Sequence, residues 1–194
     1  MTEILILYYS RHGHVASMAT LIAKGVQLMP GCIATIRTVP ELGTDPDTIP
    51  AEGHIYCSKD DLRRCHGLAM GSPTRFGNMA APLKAFIDTT SDLWVSGSMI
   101  DKPACVFSAS SSQHGGQETT LISMMLPLLH HGMVIVGTPY SESGLSDTDS
   151  GGTPYGPTVV SGANNDRAIT KIETDLCIAT GRRLARIANG LVGD

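Results

Sequence analysis

Three polar stretches hold residue types that could do chemistry if a fold brought them together. The first, Ser10-Arg11-His12-Gly13-His14-Val15, joins an apolar run to a helical period. Backbone N–H groups, a hydroxyl and the positive end of a helix dipole at such a junction suit a terminal phosphate. The plain alternative is a polar turn with Ser10 as an ordinary N-cap. The second, Ser72-Pro73-Thr74-Arg75-Phe76-Gly77-Asn78, offers hydroxyls, one ring and one cation. A flavin ring needs hydrogen bonds along its pyrimidine edge, and a fixed positive group stabilises charge on its reduced form. The alternative is a turn before a helix, capped by Thr74 or Asn78. The third runs from Ser108 to Gly116 through Ala109, Ser110, Ser111, Ser112, Gln113 and His114. Small residues with free N–H groups can wrap a planar ring, but serine-rich loops are often only mobile surface.

Other chemistries lack their residues. The chain contains no GxGxxG, GxxxxGK[ST] or GxSxG, which removes the dinucleotide, P-loop and serine-hydrolase readings. A phosphoacceptor receiver domain needs carboxylates after its first strand, where this chain has Tyr8-Tyr9-Ser10. His54, Cys57, Cys65 and His66 have metal-like spacing without a CxxC pair, and no metal is expected. His12 and His14 sit on the turn whose N–H groups suit an anion. His130-His131 closes a helix, where a cation is favoured by the dipole alone, so capping and ligand contact remain equal readings.

The elements that must position these stretches follow from periodicity. Ile4-Leu5-Ile6-Leu7-Tyr8-Tyr9 is apolar without alternation, as in a central parallel strand covered on both faces. Val15, Met18, Ala19, Ile22, Ala23 and Val26 then mark a helix that Pro30-Gly31 ends. Further strands are expected at 32–39, 67–71, 104–108 and 133–136. Further helices are expected near 59–64, from Ala80 to Ile87, from Thr119 to Leu129 with Pro127 near its end, and from Asn165 to Leu191. Residues 137–163 turn to Gly, Pro, Ser, Thr and Asp, a long insertion after the fifth strand. Strands alternating with helices make an α/β doubly wound sheet, here a single domain over 1–194. Five strands favour the flavodoxin-like order 2-1-3-4-5, with ligands beyond the carboxyl ends of the first and third.

Composition narrows the setting. Of the 194 residues, 14 are basic and 18 acidic, a net −4 without a basic tract, so no nucleic-acid partner is expected. No apolar run approaches a membrane span, and the start does not read as a signal peptide. Five cysteines without a CxxC pair fit reduced thiols, and the expected location is cytoplasmic.

Four ordered stretches carry a resemblance that covers nearly the whole chain. They are Leu7-Tyr8-Tyr9-Ser10-x-x-Gly13-His14, Gly71-Ser72-Pro73-Thr74-Arg75-Phe76-Gly77-Asn78-Met79, His130-His131-Gly132-Met133-Val134-Ile135-Val136 and Gly151-Gly152-Thr153-Pro154-Tyr155-Gly156. Together they resemble the flavodoxin-like NAD(P)H:quinone oxidoreductases of the tryptophan-repressor-binding-protein type. The resemblance implies one FMN per chain, reduced by NADH or NADPH and reoxidised by a quinone. Hydride would pass through flavin N5 in a ping-pong cycle within a homotetramer. By the same resemblance, Ser10, Arg11, His12, Gly13, His14 and Val15 fall on the FMN-phosphate loop, and Thr74, Arg75 and Phe76 on the flavin-edge loop. Ala109, Ser110, Ser111, Ser112, Gln113 and His114 fall on the second flavin loop, and His130 on a histidine near the ring. Trp94 falls on an aromatic wall of the substrate pocket, and His12 also on a nicotinamide contact. Two departures stand out: His12 replaces the family's usual aromatic, and the third loop is serine-rich where the family tends to a Gly/Thr run. No catalytic acid or base stands out, and His130 and Tyr140 are the two candidates for a proton relay.

Two rival functions bind to the same fold. One is a flavodoxin-like single-electron carrier, although such carriers are commonly more acidic than this chain. The other is a non-catalytic regulatory or scaffold partner, which no residue here favours.

Overall fold

Ile4, Leu5, Ile6 and Leu7 are all buried because the strand they form is covered on both sides. In the computed structural model, which describes residues 1–50 and 52–192, β1 (Thr2–Tyr8) lies between β2 (Cys32–Thr38) and β3 (Gly67–Arg75) in parallel register. Beyond β3 come β5 (Pro103–Ser110) and β6 (Val134–Ile135), giving the order β2-β1-β3-β5-β6. This is the flavodoxin-like 2-1-3-4-5 order that the sequence leads one to expect.

Side chains alternate between the two faces at the strand period of two. Leu5 and Leu7 point to one core with Leu68, Met70 and Val106. That core is closed by α3 (Ala81–Asp88) and α5 (Gln117–His130) through Leu83, Leu121 and Met124. Ile4 and Ile6 point to the other core with Ala69, Cys105 and Phe107. There α1 (His14–Gln27) and α7 (Lys171–Leu191) contribute Val15, Met18, Ile22 and Leu184. The last two helices touch through glycines. A Cβ on Gly25 would run into the Ile178 carbonyl, and one on Gly181 into the Ile22 carbonyl.

Three expectations are corrected. The stretch after 71 is not a loop: β3 continues to Arg75 and returns through a hairpin as the short antiparallel β4 (Asn78–Met79). The insertion does not follow a finished fifth strand but splits it. β6 pairs with Pro103 and Ala104, and β7 (Thr158–Val160) resumes the same edge against Ser108, Ala109 and Ser110. Among the described residues the sheet therefore has seven strand segments. The closing helix begins at Lys171 and not at Asn165, because Thr170 caps it: its hydroxyl accepts from Glu173 N–H while the Glu173 carboxylate accepts from Thr170 N–H. Two short helices carry no clear period in the sequence, α4 (Ser91–Val95) and α6 (Gly144–Asp147). The helix at 59–64, α2 (Lys59–Arg64), is where expected and is opened by a capping box from Ser58 and Asp61. Among the described residues, no helix is long and apolar enough to cross a membrane.

Candidate functional site

The loops leaving β1, β3 and β5 meet at the point where the strand order reverses, the usual ligand position in an open α/β sheet. They line a cleft of about 320 Å³. Ser10, Arg11, His12, His14 and Val15 come from the first loop, Thr74 and Arg75 from the second, and Ala109, Ser110 and Ser111 from the third.

At one end of the cleft, α1 starts without a side-chain cap, on Gly13 at φ 90°. A side chain there would face open space but force a left-handed backbone, so glycine is the residue that fits. Ser17 N–H returns to the Gly13 carbonyl at 2.9 Å, and the N–H groups ahead of it are the helix's orphan donors. Ser10 Oγ accepts from Gly13 N–H at 3.2 Å and keeps its own proton to donate. Ser10 therefore shapes the turn without being the N-cap. His14 is committed on one side, with Nε2 at 3.0 Å from the Arg167 carbonyl. The set suits a phosphate: backbone donors, one hydroxyl proton and a helix dipole.

The second loop is held from below. The Thr120 hydroxyl of α5, fully buried, lies 2.8 Å from Thr74 Oγ1. The Ser108 hydroxyl donates to the Ser72 carbonyl at 2.8 Å, tying β5 to β3 beneath the cleft floor. Arg75 donates to the Thr74 carbonyl and keeps most of its charge toward solvent. Phe76 forms the hairpin tip with Gly77, both at positive φ (53° and 75°), and its ring is fully exposed. A bulky residue in that conformation is held at a cost of about 1 kcal/mol or more. It does not line the cleft of its own chain.

The third loop turns away sooner than the resemblance implies. Gln117 donates to Ser110 Oγ at 2.9 Å, and Ser110 Oγ donates to the Ser112 carbonyl. This buried clasp closes the loop on itself, so Ser112, Gln113 and His114 leave the cleft. Gln113 and His114 line a separate groove with Thr148 and Thr153 of the insertion. His130 and Trp94 are also outside the cleft, but they lie together, flanking a groove with Ile87, Pro127 and His131. Tyr140 is exposed beyond β6 and does not reach the cleft.

A fourth wall escaped the sequence reading. Ser161, Ala163 and Asn165, at the end of the insertion, line the cleft beside the first and third loops. Ser161 N–H donates to the Ser110 carbonyl at 2.8 Å, and Asn165 takes φ 57°. The run Ser161-Gly162-Ala163-Asn164-Asn165 has the same small, polar character as the third loop, which was the available signal.

Comparison with known proteins agrees with this geometry. A family model described as NADPH-dependent FMN reductase matches residues 10–145. A protein of Solidesulfovibrio magneticus named NAD(P)H dehydrogenase (quinone) is 40% identical, over 97% of this chain and 98% of its own length. One of the same name from Geobacter sulfurreducens is 41% identical, over 98% of this chain and 100% of its own. The chain belongs to the flavodoxin-like NAD(P)H:quinone oxidoreductase family. A crystal structure of a WrbA-like flavodoxin from Agrobacterium tumefaciens shares the fold of this family member, with TM-score 0.70 at 23% identity over 98% of this chain and 99% of that one.

FMN is the cofactor to which the site must be fitted, and the residues present fit it. The uncapped start of α1, with Gly13 at its head and the spare Ser10 proton, provides for a phosphate; Thr74 and Arg75 provide polar contacts for a ring edge. All five cysteines are free and buried. Burial pushes the Cys65 thiol up to about 11 and Cys105 up to about 12, and raises Cys57 and Cys177 further. His54, one of the four residues with metal-like spacing, instead places Nδ1 at 3.0 Å from the Tyr8 hydroxyl, and His66 Nδ1 accepts from Glu3 N–H. Cys57→Ser with Cys65→Ser should leave quinone reduction within about twofold of the parent, with or without a chelator, because a thiol so raised is not a nucleophile at neutral pH. Activity lost in the double variant, or lost to the chelator and restored by zinc, would contradict this.

Proposed function

We propose that this chain reduces quinones with electrons from NADH or NADPH, using one FMN per chain. The observation that carries the reading is the convergence of three strand-end loops on a cleft whose one end is the uncapped, glycine-led start of α1. Bound FMN supplies the transfer of two electrons between nicotinamide and quinone. The chain's own residues bind and orient. Ser10 and the first-turn N–H groups of α1 hold the phosphate; Thr74, steadied by Thr120, and Arg75 meet the ring edge; Ala109, Ser110 and Ser111 form the opposite wall. His12, exposed at the mouth, meets the nicotinamide nucleotide.

The working unit is a homotetramer. Trp94 and His130, which the resemblance leads one to expect near the flavin, flank one groove that shares no residue with the cleft of their own chain. Trp94 is 58% exposed and lines this groove with Ile87 and Pro127. Such a patch is what a second copy would cover, bringing Trp94 and His130 against a neighbour's flavin. The resulting slot admits one flat molecule at a time, so nicotinamide and quinone alternate. The five free cysteines support a reducing, cytoplasmic setting.

The deciding experiment is steady-state kinetics with NADH or NADPH and 1,4-benzoquinone as the probe, alongside chromatography of the flavin released on heating. Parallel double-reciprocal lines and FMN, not FAD, are expected. A protein whose flavin NADH alone does not bleach, but which a partner reductase reduces by single electrons, would support the electron-carrier reading instead. Trp94→Ala should raise the quinone KM about tenfold while FMN binding changes less than twofold, since the lost contact is to substrate. A fully active monomer by sedimentation would overturn the tetramer, and intersecting lines would overturn the alternation of nicotinamide and quinone.

A further inference from the structure

Glu173 is 0% exposed, and among the described residues no Lys, Arg or His side chain pairs with it. A buried carboxylate without a cation is costly unless its oxygens are hydrogen-bonded. Here they are. Oε1 accepts from Ser150 Oγ (2.7 Å), Gly151 N–H (2.9 Å) and Val160 N–H (3.0 Å), and Oε2 accepts from Thr170 N–H (2.8 Å). Burial pushes this carboxyl up, but the bonds from Thr170, Ser150, Val160 and Gly151 outweigh it and hold it below the usual range, so it is charged at neutral pH.

The donors come from three separate pieces of chain: the middle of the insertion, the end of β7 and the cap of α7. Gly151 can bring its N–H so close only because it lacks a side chain; a Cβ there would strike the Thr158 carbonyl and sit 2.7 Å from Oε1. Val160 is followed directly by Ser161, which lines the cleft and donates to the Ser110 carbonyl. One peptide unit thus separates the buried carboxylate from the wall of the flavin site. From Ser161 the chain runs through Asn165 to Arg167, whose carbonyl meets His14 Nε2 and whose N–H returns to the Ser161 carbonyl at 3.0 Å.

We propose that the 161–167 loop is a fourth wall of the FMN site and that Glu173 is its positioning residue, clamping the insertion through Oε1 so that Ser161 and Asn165 face the cofactor. The inference rests on FMN occupying this cleft. Glu173 touches neither cofactor nor substrate. Its two oxygens have separable tasks: Oε1 holds the insertion, while Oε2 only caps α7.

That division makes the test. In Glu173→Gln the amide oxygen can keep the three donors of Oε1, while the amide nitrogen faces the Thr170 N–H and the cap is lost. Glu173→Ala loses both, and Thr170→Ala weakens only the cap. FMN titrations followed by flavin fluorescence should show Glu173→Ala binding at least tenfold more weakly than the parent. Glu173→Gln and Thr170→Ala should stay within about threefold, despite lowered melting temperatures. Amide exchange should quicken at Ser161 and Arg167 in the alanine variant and not in the glutamine variant. Asn165→Ala, which leaves the clamp intact, should weaken FMN at least threefold. If Glu173→Ala does not fold, Ser150→Ala removes one Oε1 donor outside the cleft and should weaken FMN about threefold. FMN affinity unchanged in the folded alanine variant or in Ser150→Ala, or lost equally in Glu173→Gln, overturns the clamp. Unchanged affinity in Asn165→Ala overturns the wall. A parent protein that does not bind FMN refutes the cofactor reading itself.

Discussion

Ser10→Asp should weaken FMN binding about 100-fold or more and leave riboflavin binding within about threefold. Ser10 Oγ accepts from Gly13 N–H and has one proton left to give, beside the uncapped start of α1. A carboxylate there can still accept from Gly13 but cannot donate, and it adds negative charge within reach of a phosphate dianion. Loss of a hydrogen bond to a charged group costs about 1.5–3 kcal/mol. A unit charge about 4 Å from another adds about 4 kcal/mol of repulsion at an effective dielectric near 20, less where solvent enters. Riboflavin has the same ring system and no phosphate, so it reports on the rest of the site. The check is a pair of fluorescence titrations on the apoprotein. Equal loss of both ligands would show that the substitution damaged the loop at large, and that the phosphate does not sit there.

Gly181→Ala should destabilise the protein by about 3 kcal/mol, whereas Gly190→Ala in the same helix should be neutral or stabilising. A methyl group on Gly181 has no room, because the backbone of α1 at Ile22 occupies its place, and the reciprocal contact at Gly25 holds the crossing from the other side. The obstruction is a carbonyl in a hydrogen-bonded helix, not the movable end of a side chain, so α1 and α7 must separate. Overpacking of this kind costs about 1–3 kcal/mol, and occasionally more where nothing can shift. Gly190 meets nothing within 4 Å. There the alanine meets no clash and improves helix propensity by up to about 1 kcal/mol, less near a fraying end. Thermal unfolding would show it: a fall of roughly 6–12 °C for the first variant and none for the second. Because α1 also presents the phosphate loop, a Gly181 variant that still folds should bind FMN more weakly. Equal melting temperatures for the two variants would mean that the helices do not approach as described.

What was legible in the sequence was whatever its near neighbours dictate. An unbroken, short apolar run at residues 4–9 reads as a strand covered on both faces, and helical periods with their stops between such runs lead to the doubly wound sheet and its strand order. The glycine-led turn into α1 was legible too, since a glycine and a hydroxyl between strand and helix act through nearby backbone. The motifs at 71–79 and 130–136 led to the family, and the relatives that are 40% and 41% identical agree.

Only the tertiary structure decided matters that depend on partners far along the chain. Whether the stretch after Gly71 was loop or strand turned on pairing with β5 and on the two positive-φ residues at the hairpin tip. The third loop's exit from the cleft is set by Gln117, whose side chain has no local signature as a clasp. The insertion looks like a loop because glycine, proline and serine dominate it. It rejoins the sheet as β7 because β5 offers free backbone groups beyond the end of β6, which no pattern within residues 137–163 records. Nothing in the sequence around Glu173 marks the donors from 13 to 23 positions away that close over it. Hydrogen bonds across such separations are selected by the assembled shape of the chain, and composition and period carry no trace of them.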